Sequence, residues 1–155
     1  MPTYDYTEGA TSANLHSGHK VSVVERTLDF AAIALKRAAE GQAALAAADI
    51  IKLFPVKAGQ WVQYVAAEVI TPEGETATFD VGDGATVDGF LDGINGNSAG
   101  WSGSNAAKAF AMSEAGGKLY TVDDTVDVTL LTAAYNVAKI RFVAVVVDLR
   151  RENIA

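Results

Sequence analysis

Residues 60–81 read QWVQYVAAEVITPEGETATFDV, and their period of two decides the fold class. Over 60–70 one face carries Val62, Tyr64, Ala66 and Glu68, and the other Trp61, Val65, Ala67 and Val69. TPEGE follows, with Pro72 and Gly74 at the second and fourth positions of a type I turn. TATFDV then alternates again, with Ala77, Phe79 and Val81 inward and Thr76, Thr78 and Asp80 outward. The pattern predicts a β-hairpin over 60–81.

The same period extends outward in both directions. IIKLFPV (50–56) is a short strand whose Pro55 suits an edge or a strand end. TVDVTLL (125–131) sets Val126, Val128 and Leu130 against Thr125, Asp127 and Thr129, and KLYTV (118–122) is a shorter strand before it. VAKIRFVAVVVDL (137–149) begins alternating with Lys139 and Arg141 outward. It then turns apolar on both faces, as a central strand covered on two sides does. VSVVERTL (21–28) reads as a strand with Val24 and Leu28 inward. Residues 29–41 carry helix signals: Asp29 as N-cap, Leu35 and Ala39 at helical spacing, Lys36 and Arg37 late, Gly41 as stop. An extended path through residues 28–30 is the alternative. Seven or eight mostly antiparallel strands, joined by Gly, Asp and Pro turns, predict an all-β sandwich or jelly-roll. Residues 1–20 show no sustained period and are expected to form an arm, leaving 21–155 as one domain.

The chain has 155 residues and no cysteine, which excludes thiol catalysis and Cys-based zinc sites. Its net charge of −7 is placed unevenly. Of the 19 acids, seven lie between residues 58 and 107 (Glu68, Glu73, Glu75, Asp80, Asp83, Asp88, Asp92) with no base among them, and the other twelve balance twelve Lys and Arg. That field repels phosphate backbones, so no nucleic-acid partner is expected. The apolar run 142–147 is too short to cross a bilayer, and the first 20 residues lack a signal-peptide pattern. A soluble, unexported protein with no membrane partner is therefore expected.

Catalytic equipment is sparse. The two histidines, His16 and His19, sit in the arm, and no nucleophile elbow or Gly-rich phosphate loop occurs. Glu68 is the acid an alternating face is expected to bury in part, and it has no evident carboxylate partner. No enzyme activity and no cofactor are expected. The stretch 78–101, TFDVGDGATVDGFLDGINGNSAGW, offers Asp83, Asp88 and Asp92 as candidate Ca²⁺ ligands, but their spacing does not match an EF-hand. Asp and Asn followed by Gly at turn positions account for them. The same stretch, with little strand pattern over 82–103, holds Phe90, Leu91, Ile94 and Trp101. These four plug the end of the sandwich or bury against a partner chain, and Tyr4 and Tyr6 on the arm are further candidate contacts.

The succession ADIIKLFPVKAGQWV, AEV, TATFDVGDG, DGFLDGINGN and AKIRFVAVVVDL resembles small head decoration (cement) proteins and minor structural proteins of tailed bacteriophage virions. The resemblance spans residues 49–149 as a pattern of strands and turns, and it brings no catalytic residues with it. It implies a structural homo-oligomer, a trimer favoured, bound to the major capsid protein on the outer capsid surface and assembled in the host cytoplasm. The rival expectation is a sandwich binding module on a tail or fibre. That module would hold a glycan or receptor through residues 82–101, with Ca²⁺ as an aid.

Overall fold

The computed structural model describes residues 20–103 and 117–150, which form nine strands and one helix. In chain order these are β1 (Lys20–Asp29), α1 (Phe30–Ala39), β2 (Ile50–Val56), β3 (Gln60–Thr71) and β4 (Thr78–Gly82). Then come β5 (Leu91–Asn95), β6 (Gly100–Gly103), β7 (Lys118–Leu119), β8 (Asp124–Leu130) and β9 (Lys139–Asp148). One sheet runs β1-β9-β3-β6, with β7 also on β3, and the other runs β2-β8-β4-β5. Every pairing is antiparallel. The all-β sandwich expected from alternation is the observed architecture.

The hairpin expected over 60–81 is not one. β3 lies between β9 and β6 in the first sheet, whereas β4 lies between β8 and β5 in the second. Residues 72–77 carry the chain from one layer to the other. Alternation fixes which side chains face the core, and a strand that crosses to the opposite sheet satisfies that demand as well as one that folds back.

A bulge corrects the faces assigned to β3. Val62 pairs with Val146 and Tyr64 with Val145, so Gln63 is extra. The phase therefore flips, and Val62, Val65, Ala67 and Val69 are all buried while Tyr64 turns outward. The stretch 82–103 also holds two strands rather than a loop: β5 on β4 and β6 on β3. Their Gly- and Asp-rich sequences, LDGIN and GWSG, have weak strand propensity and form only as short edges on existing strands.

The helix forms where its cap signals place it. Asp29 accepts a hydrogen bond from the Ala32 amide at 3.1 Å, and Gly41 ends the helix at φ +68°. Its buried contact is Phe30, with Ile33 packed against the core, while Leu35 is exposed. Between the sheets, Phe79 of β4 meets Phe142 of β9 edge-on at 5.7 Å, and Phe30 meets Tyr135 at 4.9 Å. Each such fully buried side chain stabilises the fold by about 1.5–3 kcal/mol.

Candidate interaction surface

Register places the outward residues of the first sheet in rows running across its strands. One row is Val21, Val147, Trp61 and Leu119, and the next is Val23, Val145 and Tyr64. A third runs Glu25, Val143, Ala66 and Gly103, and a fourth Thr27, Arg141, Glu68 and Trp101. The outer face thus divides into an apolar half and an ion-paired half. Val21, Val23, Tyr64 and Trp101 are exposed, at 57%, 68%, 41% and 55% of their surface. Val143, Val145 and Val147 are half-buried.

In the polar half, Arg141 reaches Glu68 at 2.5 Å and stands 5.1 Å from the centre of the Trp101 ring. Such a cation–π contact holds the indole beside Arg141 while more than half of Trp101 stays exposed. Lys139 and Asp29 close the end of the sheet at 2.8 Å. That contact, with the Ala32 amide, holds the Asp29 carboxyl below its ordinary range. Tyr64 folds across Gly103 so closely that a Cβ there would stand 1.7 Å from its Oη. Gly103 is therefore required for Tyr64 to lie on this face.

The second sheet differs. Its outward rows are Lys52, Asp127 and Gly82, then Ile50, Thr129 and Asp80, and they are mostly polar. Glu68 is partly buried, as expected, and ion-paired with Arg141. Among the described residues the buried acids are Glu73, Asp80, Asp83 and Asp127. Asp80 points away from the core yet accepts the Gly93 amide at 2.6 Å. Asp83 Oδ1 accepts from the amides of Ala85 and Thr86 at 2.9 Å, and Oδ2 from Lys118 and from Tyr120 Oη at 3.0 Å. Burial raises the Asp83 pKa, but Lys118, the two amides and Tyr120 outweigh it and hold the carboxyl below its ordinary range. Burial, then the Asp83 charge, push the Tyr120 phenol up.

The predicted residues separate accordingly. Asp83 serves as a turn and ion-pair anchor, Asp88 lies in the turn before β5 and Asp92 within β5. Among the described residues no three His, Asp or Glu converge as a metal site would need. Phe90 and Leu91 are buried in the sandwich core, Ile94 is half-buried against it, and Trp101 alone of the four is widely exposed. Tyr4 and Tyr6 lie outside the described residues. The residues that sequence reasoning missed are Val21, Val23 and Tyr64. The signal for them was the apolar outer face of 142–147, which pairs with them in register.

No protein-family model matches the chain, and no curated protein matches it. Solved phage structures share its fold. A chain of the acidic stable capsid structure of Helicobacter pylori bacteriophage KHP30 matches with TM-score 0.55 and 16% identity, over 82% of this chain and 86% of that one. A chain of the capsid of Ralstonia phage GP4 matches with TM-score 0.55 and 18% identity, over 83% and 84%. A chain of the cyanophage Pam1 capsid asymmetric unit matches with TM-score 0.52 and 17% identity, over 97% and 91%. At these identities the likeness is one of fold, and it extends over most of each chain.

Proposed function

We propose that this protein is a structural component of a phage virion, a homo-oligomer that decorates and stabilises the outer capsid surface by binding the major capsid protein. The observation that carries this reading is the fold likeness to chains of three phage capsids, over four-fifths or more of this chain each time. The apolar half of the first sheet supports it, because exposed valines beside an aromatic anchor suit burial against a neighbour. The charge distribution supports it too, since an acidic protein does not adhere to DNA. The resemblance of residues 49–149 to decoration proteins favours a trimer.

The test uses capsid shells assembled from a major capsid protein encoded in the same genome as this chain. Addition of the purified chain is expected to give saturable co-sedimentation and a higher shell melting temperature. A chain that neither co-sediments with shells nor shifts their melting would overturn the reading.

A further inference from the structure

Strand edges expose unpaired amides and carbonyls, and folded chains usually block them. Most edges of this sandwich carry such a block. β2 has Pro55, which lacks an N–H, and a register break between Lys52 and Phe54. β5 has five residues, with Gly93 at φ +61° and a break opposite it between Phe79 and Val81. β6 has four residues and β7 two. β1 differs from all of these. Its ten residues, KVSVVERTLD, contain no Pro or Gly and pair with β9 without a register shift. Among the described residues nothing pairs with its other side. Two valines on that strand, Val21 and Val23, are more than half exposed.

We infer that β1 pairs with β1 of a second copy, antiparallel, about a two-fold axis through Ser22. Charge and face select this register. A two-fold axis normal to the sheet brings side chains of the same face opposite each other only when it passes through a residue. Centred on Glu25, the pairing sets that carboxylate against itself, and centred on Val23 it sets Lys20 against Arg26. Centred on Val24, it sets Val23 against Glu25. Centred on Ser22, it sets Val21 against Val23 of the second copy twice, lays the Lys20 stem over Val24, and opposes no like charges. The apolar rows then run on across the junction, from Trp61, Val147 and Val21 to Val23, Val145 and Tyr64 of the second copy. The contact is isologous and closes with two copies. It yields dimers, or joins trimers in pairs where another surface closes a three-fold ring. It deepens the self-association in the reading above and can fail without it.

Because the chain has no cysteine, single Cys variants report the register cleanly. Opposed residues in an antiparallel pair have Cα atoms about 4.5–5.5 Å apart, within disulfide reach. S22C is expected to form a disulfide-linked dimer under mild oxidation at least about tenfold faster than T27C, whose two copies would stand roughly 33 Å apart at strand rise. In sedimentation velocity, V21K/V23K should dissociate the pair and V21E/V23K should restore it, because each Glu then faces a Lys. S22C alone decides the register if V21K/V23K does not fold. Equal cross-linking of S22C and T27C, a wild-type chain that stays monomeric at millimolar concentration, or association untouched by V21K/V23K would overturn the pairing. In the last case the shell-binding result stands on its own, so failure of the pairing and failure of the virion reading are told apart.

Discussion

The Glu73 carboxylate accepts the backbone amide of Ala138 at 2.8 Å, joining the β3–β4 crossing to the segment that enters β9. The same carboxylate takes the amides of Asn136 at 2.8 Å and Val137 at 3.1 Å. Glu73 is buried, and its own amide donates to Gly96 at 3.0 Å. One side chain therefore satisfies three backbone donors that would otherwise be stranded where the chain changes sheets. Glu73→Ala should destabilise the fold by about 2–4 kcal/mol, as stranded buried donors do. Glu73→Gln, which keeps one acceptor, should cost less. Urea unfolding followed by tryptophan fluorescence measures both, and equal stability of Glu73→Ala and wild type would refute the assignment.

Asp83 and Asp127 lie close in the fold but respond to acid in opposite directions. The Asp83 pKa is lowered in the folded state, so its contribution is present above the unfolded value of about 3.9 and is lost as pH falls through the folded value. Asp83→Asn should cost about 2–3 kcal/mol at neutral pH, since it removes the charge-assisted hydrogen bond from Lys118 to a buried carboxylate. Its melting temperature should approach that of wild type as the pH falls through the folded value.

Asp127 gives the converse case. Burial, opposed in part by Thr125 and Lys52 and aided by Asp124 and Asp83, raises its pKa. Among the described residues its Oδ1 has no hydrogen-bond partner. Its contribution is fully present below the unfolded value of about 3.9 and is lost as pH rises through the folded value. Asp127→Asn should therefore raise the melting temperature at pH 7, and the gain should shrink toward pH 4 and below. A pH series of thermal melts checks the sign, and a gain that grows in acid would sink the account.

How much of this was legible follows from what alternation encodes. The faces of β4 and β8 were readable because nothing interrupts their period, and α1 was readable because Asp29 and Gly41 are local signals. The partner of each strand was not, since sheet membership is a long-range choice that an inward valine meets on either layer. The extra residue at Gln63 reverses half of β3 and leaves no mark in composition. The exposed face was half legible. The run at 142–147 signalled two apolar faces, but Val21 and Val23 join it only through the β1–β9 register. The buried acids were missed because Glu73 and Asp83 sit in segments that read as turns, where acids are expected to face water.

Gly96 and Tyr135 test packing at the same junction. A Cβ on Gly96 would stand 2.4 Å from Tyr135 Oη and 2.9 Å from Cε1. The Tyr135 ring is fully buried and packed at a tilt against Phe30, so it has little room to yield. Gly96→Ala should cost about 1–3 kcal/mol through overpacking. The Tyr135 hydroxyl has no hydrogen-bond partner among the described residues, so Tyr135→Phe alone should be neutral or stabilising. The double variant should recover part of the loss, because removing Oη relieves the closest approach. Strict additivity in the double-mutant cycle would contradict that contact.

Trp101 separates stability from association. Its ring is more than half exposed and held by Arg141, and β6 is a four-residue edge. Trp101→Ala should change folding stability by no more than about 0.5–1 kcal/mol, the worth of an exposed cation–π contact. If the outer face of the first sheet is buried against capsid subunits, the same variant should weaken shell binding by about tenfold or more, as loss of an aromatic anchor does. Co-sedimentation with shells at graded concentrations reads the second effect and thermal melting the first. Binding equal to wild type at unchanged stability would remove Trp101 from the interface and shift attention to the valine rows beside it.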